Sequence, residues 1–289
     1  MRRMIPVIAL AAAACNPQTD RYVGAGDDAT ATPDAPATPE GTATPVADVE
    51  PSPSPAEDGR PETKPDGSFA LEEETDLYLF QYAYPAAAGR IPELASVLQR
   101  RMERAKATLE REAGDARGQA RDNGFPYNKH SYQAEWQVVA DLPAWISLSV
   151  KVDTYSGGAH GMSNVQSLVW DKNGKRAMEA IALFESPDAL EKAVGQAWCD
   201  GLNKEREKKR GEPVPAGSDE GFNNCPSIDE LTILVGSGDR RRFDRMTWYA
   251  GPYVAGPYAE GAYMVNLPVT QAVLDAVSPQ YREFFRARK

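Results

Sequence analysis

The chain predicts an α+β fold, with antiparallel sheet and packed helices following a disordered N-terminal tether. Several runs alternate apolar and polar residues with period two, the signature of strands with one face buried. Two longer stretches carry apolar residues at three- and four-residue spacing, as amphipathic helices do. The order strand, helix, strands, helix, strands also departs from the regular βαβα alternation of a doubly wound parallel sheet.

The first strand is marked by Tyr78, Phe80, Tyr82 and Tyr84. Pro92 then opens a helix with Leu94, Val97, Leu98, Met102, Ala105 and Leu109 on one face, fading near Gly114. Tyr132, Ala134, Trp136 and Val138 predict a strand, and Ile146, Leu148, Val150 and Val152 its antiparallel neighbour. Residues 164–170 return along that neighbour, with the SGGAHG segment as the connection, and Asn173-Gly174 signals a tight turn into a further short strand. Ser186 caps and Pro187 starts a second helix, whose stripe Leu190, Ala193, Val194, Ala197, Trp198, Leu202 runs to Gly211. Strands at Leu231–Val235, Met246–Tyr249 and Ala262–Leu267 follow, then a helix from about Thr270. All five tryptophans lie in 69–289, which reads as one α+β domain or as two subdomains dividing near 175–185.

Residues 16–68 contrast with that segment. They hold ten of the 23 prolines, one aromatic residue, and eleven acidic against three basic side chains. Such a composition buries too little apolar surface to offset the entropy of ordering, so residues 15–68 read as a tether. Its span runs from about 40 Å as a coil to about 160 Å as polyproline II. With a net charge of −8 there, most of the chain's −10 belongs to the tether and not to the domain.

Arg2 and Arg3 precede the short apolar run Met4–Ala14, too short to span a bilayer, so residues 1–14 read as a signal peptide. The stretch LAAAAC ending at Cys15 resembles the bacterial lipobox, which implies diacylation of the Cys15 thiol and a lipid anchor in the cell envelope. Asn16 stands where inner-membrane lipoproteins usually carry aspartate, which favours the outer membrane, facing the periplasm. Cys199 and Cys225 remain as an even pair in an exported chain, and a disulfide between them is the economical reading, against two buried thiols.

The stretch YSGGAHG places Tyr155, Ser156, Gly157, Gly158 and His160 in one connection. Two readings are open: glycines that allow close approach of a ligand to Tyr155 and His160, or a turn whose histidine only ties the loop. Tyr253 and Tyr258 pose the same choice between recognition and anchoring. Catalysis finds little support. His130 and His160 are the only histidines, no zinc-ligand spacing or nucleophile elbow is present, and four residues across a glycine turn give Ser156 and His160 no defined geometry. No catalytic residue, metal site or cofactor is therefore assigned, with a cryptic hydrolase using His160 as the alternative. Nucleic acid is not expected as a partner, because the basic runs Lys204–Arg210 and Arg240–Arg242 read as solvated charge at a helix end and in a turn.

YSGGAHG (155–161), NGK (173–175) with Leu183-Phe184, and PYVAGPYAEG (252–261) leading to Pro268 and Leu274 resemble a family of paired extracytoplasmic domains of unknown function. Its members form the outer part of RsiV-type anti-sigma factors, which bind lysozyme, and accompany the catalytic domain of PdaC-type peptidoglycan deacetylases. The resemblance spans roughly 69–285 and implies an envelope domain that binds a peptidoglycan-related or lysozyme-like partner. The chain shows neither a sigma-binding segment nor a deacetylase domain, so those activities do not transfer.

Overall fold

The computed structural model describes residues 62–289 apart from positions 216, 219 and 289. The predicted signal peptide, Cys15 and the tether as far as residue 61 lie outside the described residues.

Seven strands form one sheet in sequence order: β1 (Glu62–Thr63), β2 (Phe69–Glu74), β3 (Tyr78–Tyr84), β4 (His130–Asp141), β5 (Trp145–Tyr155), β6 (Met162–Asp171) and β7 (Arg176–Met178). β1 lies inside the stretch read as tether. Lys64-Pro65-Asp66-Gly67 turns the chain back there, with Gly67 at φ 94° and the Asp66 carboxylate accepting from Ser68 N at 2.8 Å, so sheet pairing includes residues seven positions before Phe69. Every neighbouring pair is antiparallel except β3 and β4, which run parallel because a helix carries the chain back across the sheet.

After the single turn α1 (Ala86–Gly89), that helix is α2 (Pro92–Asp122). It continues past Gly114 because Ala113 is fully buried and neither Gly114 nor Gly118 leaves a gap in the packing. It stops at Asn123, whose side chain returns to the Gln119 carbonyl at 2.7 Å, with Gly124 at φ 72°. Leu94, Leu98 and Leu109 meet Phe80, Tyr82, Ala134, Trp136, Leu148 and Val150 in one core. Val138, predicted to face inward, is exposed, and a register shift between Val138 and Ala140 buries Ala140 on the opposite face of the sheet.

A three-stranded antiparallel sheet, β8 (Thr232–Gly236), β9 (Arg245–Ala250) and β10 (Tyr263–Pro268), packs with α3 (Pro187–Arg210) and α4 (Gln271–Ala276). Ser186 Oγ caps α3 at Ala189 N, 3.1 Å, and Gly211 ends it at φ 79°. Leu190, Val194, Trp198 and Leu202 face Val235, Trp248 and Val265. The larger sheet contributes Ala140, Trp145 and Val169 to this second core, so its two faces serve both hydrophobic clusters. The disulfide Cys199–Cys225 ties the irregular stretch before β8 to α3, with a Cα separation of 5.5 Å. In the chain-entropy account such a loop is worth roughly 3–4 kcal/mol.

Candidate functional site

The β5–β6 connection is an exposed loop whose three glycines do different things. Gly157 and Gly158 sit at φ 93° and 90°, a region that other residues enter at a cost. Gly161 is required by proximity, since a Cβ there would lie 2.7 Å from the Thr154 carbonyl oxygen. Tyr155 closes the loop from within by donating its hydroxyl to the Gly158 carbonyl at 3.0 Å.

His160 projects from this loop onto the β9–β10 connection. Its ring stacks on Tyr258 with centroids 3.8 Å apart and planes 18° from parallel, and the Tyr258 hydroxyl donates to the Gly161 carbonyl at 2.9 Å. His160 Nδ1 lies 3.0 Å from the Gly161 carbonyl oxygen, to which it can only donate, and Nε2 lies 3.4 Å from the Tyr253 hydroxyl. Tyr253 and Tyr258 are themselves 5.7 Å apart. The two motifs singled out in the sequence, about 90 residues apart, thus meet as one cluster of three rings. Ser156 is exposed and is not among the hydrogen-bond partners of His160, and His130 is buried at the start of β4. Among the described residues no group of three or more His, Cys, Asp or Glu side chains could hold a metal ion, and no helix is long and apolar enough to cross a membrane.

Tyr253 is the unusual member. It is 49% exposed and adopts φ 69°, a left-handed conformation that costs a non-glycine residue about 1–2 kcal/mol. A strained aromatic residue left in solvent needs a surrounding that imposes its geometry. α3 supplies it through Arg206, Lys209 and Arg210, which are not solvated charge as their basic run predicts but bonded to the loops beside them. Arg206 is fully buried, at the next four-residue step of the stripe Leu190, Val194, Trp198, Leu202. Its guanidinium donates to Ala255 O at 2.9 and 3.1 Å, to Asn223 O at 3.0 Å, to Asn224 O at 2.8 Å and to Asn203 Oδ1 at 3.0 Å. One turn later Arg210 grips Glu260 with two bonds of 2.9 and 3.1 Å, and Lys209 Nζ donates to the Glu260 and Ala262 carbonyls at 2.6 Å. Tyr263 donates its hydroxyl to the same Glu260. Burial pushes the Glu260 carboxyl up, but the bonds from Arg210 and Tyr263 outweigh it and hold the group below the usual carboxylate range. The signal for Arg206 was the four-residue step itself, hidden because arginine is rarely found fully buried.

Residues 71–163 match the family model described as deacetylase PdaC, a segment that includes the SGGAHG loop and ends before the Tyr253–Tyr258 loop. No curated protein matches the chain. A solved structure described as a member of the DUF3298 family from Bacteroides fragilis is similar at 17% identity, covering 78% of this chain and 97% of that one, with a TM-score of 0.45. A DUF3298 family protein from Pseudomonas aeruginosa is similar at 15% identity, covering 78% of this chain and 99% of that one, with a TM-score of 0.47.

Proposed function

We propose that the protein is a lipid-anchored binding protein of the bacterial cell envelope, held by Cys15, which recognises a protein or glycan partner through His160, Tyr253 and Tyr258 without chemistry of its own. The observation that carries this reading is the convergence of two loops on an exposed ring cluster, one of whose members is held in a strained conformation. Aromatic rings with a polar tip suit such a role, because they offer contact area at little entropic cost. His160 faces a carbonyl and a phenol, which orients its ring as a contact group. The name of the matched domain model makes sugar deacetylation the activity to assay beside binding.

The full chain, its His160→Ala and Tyr253→Ala variants, and Cys15→Ser test this together. Retention on peptidoglycan and on a lysozyme-like protein is expected to fall in the two ring variants with little change in melting temperature. Cys15→Ser is expected to abolish fatty-acid labelling. Undiminished retention in both ring variants, or substrate turnover that depends on His160, would sink the reading.

A further inference from the structure

Beside the ring cluster lies a cleft of about 430 Å³, within the range of about 300–1,000 Å³ that small-ligand sites occupy. One wall is the β6 stretch that follows directly on the His160 loop. The other is formed by Asp229–Thr232 and by Tyr249 with the turn that carries Tyr253. Its lining includes two carboxylates, Asp229 and Glu230, and no lysine, arginine or histidine.

The polar groups there are only half used. Asn164 Oδ1 accepts from Val165 N at 2.8 Å, which leaves the amide NH₂ to donate. Asp229 Oδ1 accepts from Ser227 Oγ at 2.5 Å, and Glu230 Oε2 from Ser227 N and Oγ at 3.0 Å, so each carboxylate keeps an oxygen for another donor. Among the described residues, Gln166, which shares a strand face with Asn164, and the Tyr249 hydroxyl make no hydrogen bond. The cleft therefore offers both donors and acceptors beside the Tyr249 ring.

An added peptide strand does not fit this edge. The outward groups of β6 at its centre are already spoken for, since Val165 N–H goes to Asn164 and Val165 C=O accepts from Thr232 Oγ1 at 2.8 Å. What fits is a ligand with many hydroxyls, an apolar ring face and no negative charge. We infer that this cleft is a binding site for a non-anionic saccharide, with ring hydroxyls on Asn164, Gln166, Asp229, Glu230 and Tyr249 and an apolar sugar face toward the Tyr253 turn.

This inference rests on the binding role proposed above and narrows its partner to a glycan. Calorimetric titration of the full chain with N,N′,N″-triacetylchitotriose, cellotriose, trigalacturonate and tetra-alanine tests it. One of the two uncharged trisaccharides is expected to bind, with trigalacturonate and tetra-alanine silent. Tyr249→Phe and Gln166→Ala are each expected to weaken that binding about tenfold, with unchanged melting temperatures establishing that both variants fold. The inference is overturned if neither trisaccharide binds at about 10 mM, if either variant binds as well as the wild type, or if trigalacturonate or tetra-alanine binds in its place. Loss of envelope retention in Tyr253→Ala with no trisaccharide binding would remove the glycan and leave the ring surface. Trisaccharide binding through Tyr249 with retention indifferent to His160 and Tyr253 would do the reverse.

Discussion

The seven-stranded sheet with α2 and the three-stranded sheet with α3 are held together by different means. In the first, apolar side chains at regular spacing fill the core, and the directional contacts are few, such as Lys106 of α2 donating to Glu73 of β2 at 2.6 Å. The Tyr82 hydroxyl donates to the Leu98 carbonyl at 3.0 Å and accepts from Trp136 Nε1 at 2.7 Å, so a ring in the core joins helix and sheet. In the second, long irregular stretches separate the strands, and they have no periodic face to bury. Directional fixings replace it: the disulfide, Arg206 on four main- and side-chain oxygens, and Arg210 on Glu260. The contrast teaches that loops which must display side chains to solvent are stabilised from below, by polar groups reaching up from a helix.

That contrast can be broken most forcefully at Arg206. Arg206→Ala leaves the buried Ala255 carbonyl without its donor, frees the carbonyls of Asn223 and Asn224 and empties a fully buried position, and a loss of about 4 kcal/mol is expected by denaturant titration. Leu98→Ala in the other core is expected to lose a similar amount, about 2–5 kcal/mol, through a cavity. Only Arg206→Ala should also abolish binding at the ring cluster, and equal effects of the two on binding would dissolve the distinction.

A smaller effect is expected from acid. Because the folded state holds the Glu260 carboxyl below its ordinary value near 4.5, the Arg210–Glu260 contact stabilises fully above that value and is lost as pH falls through the folded one. Urea midpoints between pH 6 and pH 3 should therefore fall more steeply for the wild type than for Glu260→Gln. Parallel curves would show that the clamp contributes nothing.

The smallest effect has the opposite sign. Tyr253→Gly removes the left-handed strain and is expected to raise stability by up to about 1 kcal/mol while weakening partner binding. A clear loss of stability would mean that the ring anchors the loop and does not serve recognition.

The sequence disclosed these features unevenly, and for physical reasons. Alternation at Tyr78–Tyr84 and the caps Ser186 and Gly211 are local signals, and the elements stand where those signals place them. The parallel pairing of β3 with β4 was not visible, because it depends on which edge α2 returns the chain to. Gly114 misled because a glycine weakens a helix by only about 1 kcal/mol, which the buried Ala113 and the following residues outweigh. Of the candidate site, each loop was visible on its own through its glycines and aromatics. Their meeting was not, since it depends on contacts across about 90 residues, and the Arg206 that fixes Ala255 beneath one loop belongs to a basic run that reads as solvated unless its four-residue step into the apolar stripe is noticed.

The bonds that close Val165 also bear on how copies of the chain coexist. The outermost strands of the larger sheet, β1 and β7, have two and three residues, too short to template another molecule, and the longer free edge of β6 is occupied at its centre. Sheets that end this way resist edge-to-edge polymerisation. For a protein proposed to sit crowded on a membrane, where neighbours meet far more often than in solution, the occupied centre of β6 makes that edge a poor template for a second copy.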